Sequence, residues 1–142
     1  MELETRTIQL STRGHTHIVN ITDQVQTQIT EAGFVEGSAL VACIGSTGGI
    51  STVEYEPGLV GTDISEALGK VAPDDIEYEH NKTWGDDNGA AHIRSTLVGT
   101  SYTVPFKQGK LMLGTWQQIV FLDFDTRARN RSVVVQIWGK KK

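Results

Sequence analysis

Cysteine is almost missing from the chain: Cys43 is the only one in 142 residues. No disulfide can close within it, so a cross-linked secreted scaffold is excluded and the composition suits a reducing cytoplasm. Cys43 itself lies in the apolar run Leu40–Ile44 and reads as a buried, inert thiol. An excess of positive charge is also absent. Thirteen Lys and Arg face 17 Asp and Glu, a formal net charge of −4, which argues against a general nucleic-acid binder. The tail Lys140-Lys141-Lys142 is a local exception and reads as a solvated end. No apolar run approaches the roughly 20 residues of a membrane span, and the opening MELETRTIQL lacks the apolar core of a signal peptide. Neither nucleic acid nor membrane is an expected partner, and a cytoplasmic location is. With repeats, linkers and low-complexity segments missing too, residues 1–142 read as one domain large enough to bury a continuous core.

What is present is mostly period-2 patterning. Residues 3–12 alternate, and a second strand covers 17–21 after a turn at Gly14. His15 and His17 flank that turn and read as solvated histidines. Thr22-Asp23 opens a helix with Val25 and Ile29 on one face and Gly33 at its end. Ser38–Ile44 predicts a central strand. It empties into Gly45-Ser46-Thr47-Gly48-Gly49, which reads either as an anion-binding turn or as a bend between strands. Residues 50–56 alternate again and send Glu54 and Glu56 to one side, as acid/base or metal groups if that side is a pocket and as surface charges if it is solvent. Thr62 or Asp63 caps a further helix through Ile64, Leu68 and Val71, stopped by Pro73. Strands are expected at 101–106, 111–125 and 132–138.

The chemistry concentrates between Tyr78 and Trp116. His80, Asn81, Asp86, Asp87, Asn88, Gly89 and His92 fall in one loop and the first turn of a helix over Ala90–Val98, with Asn88 as its expected N-cap. Hard oxygens there suit Mg²⁺, imidazoles suit Zn²⁺, and a helix N-terminus suits phosphate. The eleven residues between His80 and His92 match no familiar zinc spacing, and a capped loop with one core histidine is the alternative. Thr115, Gln117 and Gln118 interrupt a buried strand, so each needs a partner: a ligand, a backbone group or another subunit. Arg127, Arg129 and Arg131 alternate, which can set three guanidinia on one side for phosphate or leave them in a solvated turn.

In order along the chain, Tyr78-Glu79-His80-Asn81, Asp87-Asn88-Gly89, Ala91-His92, Val104-Pro105, Gly109-Lys110-Leu111, the run from Leu113 to Ile119 and the ending from Arg129 to Val135 resemble the YjbQ-type family, small proteins described as secondary thiamine-phosphate synthases. The resemblance covers essentially the whole chain. It implies an α+β domain, largely an antiparallel sheet or sandwich with about three helices, assembled as a homotrimer. It also implies a transferase joining hydroxymethylpyrimidine diphosphate to thiazole phosphate, with His80, His92 and Glu54 catalytic. Asn81, Asp86, Asp87, Asn88, Gly89, Thr115, Gln117 and Arg131 would hold phosphate or substrate, with Trp116 or Tyr78 stacked on a ring. A divalent metal, Mg or Zn, would sit on His80 and His92. One departure stands out: where many relatives carry a histidine, this chain has Gly45, while the glutamate of the same segment is kept at Glu54. A three-histidine site is thereby reduced to two. The same cluster would also serve a metal-assisted phosphate-ester hydrolase, or a non-catalytic protein that holds a phosphorylated metabolite.

Overall fold

The computed structural model describes residues 1–142. Its strands follow the period-2 patterning. β1 (Glu2–Thr12), β8 (Arg129–Lys141), β3 (Phe34–Cys43), β5 (Ser101–Lys107) and β6 (Lys110–Leu111) form one sheet in that order. β2 (His17–Asn20), β7 (Gln117–Asp123) and β4 (Gly48–Glu54) form a second. Every pairing is antiparallel. The sheets stack because alternate residues of each are apolar: Ile8, Val41, Val104 and Val135 from the first share one core with Ile50, Ile119 and Phe121 from the second. Helix α1 (Thr22–Ala32) adds Val25 and Ile29 to that core and ends on Gly33, whose φ of 78° is the left-handed cap the sequence anticipates.

β7 is buried on both faces, which is why its sequence lacks alternation. Val120 and Leu122 point away from the first sheet and pack with Ile18, Ala91 and Phe124. Helices α2 (Ile64–Val71) and α4 (Gly89–Val98) cover that side with Ile64, Leu68 and Val98.

Several boundaries differ from expectation. The strand expected over 38–44 starts four residues earlier, at Phe34, and the last strand runs on to Lys141. The expected strand 111–125 breaks into β6 and β7, and Met112–Trp116 is irregular. A short helix, α3 (Glu79–Trp84), stands where only loop was expected, bringing the helices to four. Asp63 does not cap α2. A π-helical turn over Leu59–Asp63 precedes it, and Glu56 takes the free N–H groups of Gly58 and Leu59 at 2.7 and 2.9 Å. No helix is long and apolar enough to cross a membrane.

The outer face of the five-stranded sheet has no second layer. Its rows run Leu3–Trp138–Ser38–Pro105, Thr5–Gln136–Leu40–Thr103 and Thr7–Val134–Ala42–Ser101, followed by Gln9–Ser132 and Ser11–Asn130. None of these positions carries a charge, whereas the row at the other end of the same face, Glu36 with Lys107 and Lys140, is charged throughout.

At the opposite, inner surface, one ion pair joins the two sheets. Arg131 of β8 donates from Nε and Nη2 to both carboxylate oxygens of Asp123 of β7, at 2.7 and 2.8 Å. Thr12 of β1 adds its hydroxyl, and Asp123 is fully buried. Burial pushes the Asp123 carboxyl up, but the bonds from Arg131, Thr12 and the Asp125 N–H outweigh it, so it titrates below its usual 3.8. Because the folded value is depressed, the pair's stabilisation is complete above 3.8 and fades as pH falls through the folded pKa. Asp123→Asn strands a buried guanidinium, and we expect urea unfolding at neutral pH to show a loss of about 3–5 kcal/mol. The gap between variant and wild type should close in acid as the wild-type carboxyl protonates.

Candidate functional site

Two short helices bring the polar residues together. α3 carries His80 and Asn81 in its first turn and stops at Gly85, left-handed at φ 68°. Asp86 and Asp87 cross to α4, which carries His92 in its first turn. The imidazoles meet with ring centroids 4.4 Å apart and planes tilted by 57°. His80 Nε2 lies 3.1 Å from Asn88 Oδ1 and 3.3 Å from Asp86 Oδ2. Both neighbours are acceptors, so Nε2 carries a proton.

Asn88 does not cap α4, as the sequence suggested. Its side chain bridges instead, accepting from His80 and donating from Nδ2 to Asp125 Oδ1 at 3.4 Å. Capping passes to Asn81, whose Oδ1 accepts the Gly89 N–H at 2.9 Å. Gly89 is required for this contact, because a Cβ there would come within 2.6 Å of Tyr78 Cβ. Tyr78 is itself tied down, its hydroxyl donated to Pro73 O.

Behind Asn88 stands Asp125, 2 % exposed. Its Oδ2 accepts from Arg129 Nε at 3.0 Å and from the buried Thr47 hydroxyl at 3.2 Å, and its Oδ1 accepts the Thr126 N–H at 2.8 Å. Burial raises its pKa, and the Thr126 and Arg129 bonds more than reverse this, leaving it depressed. Thr126 in turn gives its hydroxyl to Asp87 Oδ1 at 2.9 Å. Asp86, Asp87, Asn88, Thr126, Arg127 and Arg129 line a cleft of about 340 Å³ with Asp125.

Arg131, expected to meet phosphate, is turned inward. It is spent on Asp123 and on Thr47 Oγ1 at 2.9 Å, with its side chain 11 % exposed. The cleft receives Arg129 and Arg127 instead. Asp125 and Thr126 join the site without being expected there, their only sequence signal being the run of polar residues that follows the apolar β7. Thr47 comes from the glycine-rich turn after β3, where its hydroxyl meets Asp125 and Arg131.

Glu54, Thr115 and Gln117 are not with the histidines. β4 pairs Gly48 with Asp123 at one end and Glu54 with Gln117 at the other, a separation of roughly 20 Å. Gln117 is internally satisfied: it donates to Thr52 Oγ1 at 3.1 Å and Tyr102 Oη at 3.3 Å and accepts the Gly114 N–H at 3.0 Å. Thr115 is exposed in the preceding loop. Glu54 lines a separate cleft of about 410 Å³ with Trp116, which is 72 % exposed.

The donor set discriminates between metals. No group of three or more His, Cys, Asp or Glu is placed to hold one ion, and a Cβ on Gly45 would approach Arg131 Nη1 at 3.5 Å and Cys43 Sγ at 3.9 Å. Two imidazoles with no third ligand do not fit a closed zinc site. Mg²⁺ asks less of the protein, since one or two carboxylates suffice when substrate phosphates complete the shell. Asp86 and Asp87 fit that requirement.

Residues 6–140 match the family model described as "UPF0047 protein YjbQ-like". A UPF0047 protein of Archaeoglobus fulgidus is 39 % identical over 129 residues, covering 91 % of this chain and 97 % of its own. A UPF0047 protein of Methanothermobacter thermautotrophicus is 36 % identical over 140 residues, covering 99 % of this chain and 95 % of its own. Among solved structures, a "YbjQ-like protein of unknown function" from Sulfolobus solfataricus superimposes with a TM-score of 0.91 at 32 % identity, over 98 % of this chain and 99 % of that one. A YjbQ/UPF0047 protein from Clostridium acetobutylicum gives 0.85 at 36 % identity, over 94 % and 99 %. The α+β class and antiparallel sheets expected from the resemblance are those of these structures.

The capping role of Asn81 is testable. Asn81→Ala should lower the free energy of urea unfolding by about 1 kcal/mol, the usual cost of losing a helix cap.

Proposed function

The chain belongs to the UPF0047 YjbQ-like family, and we propose that it is a transferase joining hydroxymethylpyrimidine diphosphate to thiazole phosphate, with thiamine phosphate and pyrophosphate as products. The observation that carries this reading is the imidazole pair of His80 and His92, in which His80 contacts Asn88 and Asp86, two of the residues that line a cleft with Arg127 and Arg129. In the reaction, the bond between the pyrimidine methylene carbon and the diphosphate oxygen breaks, and its electron pair leaves with the diphosphate. The lone pair of the thiazole nitrogen then forms the new C–N bond. No base has to remove a proton, so the task of the protein is to neutralise the leaving group and exclude water. Arg127, which has no ion-pair partner, supplies positive charge, with Arg129 beside it held on Asp125. The proton on His80 Nε2 supplies a hydrogen bond to a departing oxygen once Asp86 or Asn88 yields it. A divalent ion entering with the diphosphate would be held by Asp86 and Asp87 and would add charge neutralisation.

Assembly as a homotrimer belongs to the same proposal. Its support is the uncharged stretch of the outer face between Ser38 and Ala42 of β3 and their partners, bordered at one end by the charged row Glu36, Lys107 and Lys140. Glu54, Thr115 and Gln117 would join the histidines only if a neighbouring copy presented them.

Product formation from the two substrates, followed by mass spectrometry, tests the chemistry. His80→Ala and His92→Ala should each reduce turnover about a hundredfold or more with circular dichroism unchanged. Undiminished turnover in both would refute the assignment. Calorimetric binding without turnover would instead support a metabolite-binding protein, and phosphate release from phosphomonoesters a hydrolase. Mixing Glu54→Gln with His80→Ala subunits tests the shared site: activity above that of either variant alone is expected if copies exchange residues.

A further inference from the structure

A third cleft, of about 630 Å³, opens at the turn whose His15 N–H bonds to Asp125 O. Arg13, His15, His17 and Tyr55 are the titratable groups in its wall, and no carboxylate lines it. That is notable in a chain with four more acidic than basic side chains. Arg13 takes part in no ion pair, unlike Arg6, Arg94, Arg129 and Arg131.

The backbone of this wall is strained. Gly14, His15 and Thr16 are consecutive left-handed residues, with φ of 77°, 53° and 62°. Such a conformation presses the Cβ of an L-residue against the following carbonyl oxygen, and for a β-branched threonine it is a genuine outlier. Packing enforces it. Thr16 is buried at 6 % exposure, His15 N–H donates to Asp125 O at 2.7 Å and His17 N–H to Gly14 O at 3.1 Å. The turn is pressed so closely on the 125–127 segment that a Cβ on Gly14 would lie 2.6 Å from both Asp125 O and Arg127 O. The result gathers a guanidinium and two imidazoles around one concavity. His17 is further fixed in one tautomer. Its Nδ1 accepts the Arg13 N–H at 3.0 Å, so in the neutral ring Nε2 carries the proton and is a donor. Burial and the Arg13 charge both hold the His17 pKa down, against a weaker opposing pull from Asp123, so the ring meets an anion as an Nε2–H donor beside the Arg13 charge.

We propose that this cleft is a second, distinct anion site that binds a phosphate group, free or as a monoester, through Arg13, His15 and His17. It stands independently of the transferase reading. The test is a titration of the full chain with inorganic phosphate, at ionic strength held constant with chloride, following the side-chain NMR signals of all four histidines. Saturable movement of the His15 and His17 signals is expected, retained in His80→Ala and weakened about tenfold or more in Arg13→Gln, the effect of one charge-assisted hydrogen bond. Arg13 is exposed, so that variant should fold as the parent does, which circular dichroism verifies. Movement confined to His80 and His92, movement that chloride reproduces, or an undiminished response in Arg13→Gln would each overturn the proposal.

Discussion

The carboxylate of Asp123 has no water to face, and the molecule is arranged around answering it. Asp123 ends β7 in one sheet, and its partner Arg131 lies near the start of β8 in the other. Thr12 of β1 and the backbone of Asp125 complete its shell. A dry ion pair is weak evidence of net stability against an apolar replacement, but it is unforgiving of a wrong partner. Here it fixes how the two sheets register, since sliding either one would separate the guanidinium from its fork of oxygens. The left-handed turn at Gly14–Thr16 and the segment 125–129 are held around that fixed point.

From the same point a polar chain runs outward. Arg131 touches Thr47, Thr47 touches Asp125, Asp125 receives Asn88, and Asn88 meets His80. Each link uses a group whose other valences are already taken, so few alternative arrangements exist. The imidazole pair is thus mounted on the seam between the sheets, although α3 and α4 are surface helices. The exchange between Asn81 and Asn88 makes this possible: one asparagine caps the helix so that the other can bridge.

Much of the fold was legible because apolar alternation is a local signal. β1, β2, α1, β4, α4 and β5 fall within a few residues of where patterning put them. α3 was not legible: six residues with no buried member offer no periodic stripe to detect. The long strand at 111–125 was misjudged because Gly114 to Gln117 close a turn through side-chain bonding, which periodicity does not report. At the site, the convergence of His80 and His92 followed from their motif, whereas the inward turn of Arg131 did not. Three alternating arginines look alike in sequence, and only the buried carboxylates distinguish them: Asp123 takes Arg131, Asp125 takes Arg129, and Arg127 is left without an ion pair. Glu54 and Gln117 share a motif with the histidines yet sit at the far end of β4 and β7; a linear pattern records which residues recur together, not whether one chain brings them into contact.

β8 lies between β1 and β3, so Gly139 is laid beside Glu2 and beside Gly37. It follows every other strand in the chain. During synthesis, the flanks of β1 and β3 that face each other must therefore stay open until β8 emerges to fill the gap. Closure of such distant pairings is slow, because the intervening loop must be ordered before any contact rewards it. The nascent protein thus passes through a stage with two exposed strand edges, when it depends most on chaperones and is most open to mispairing with its neighbours.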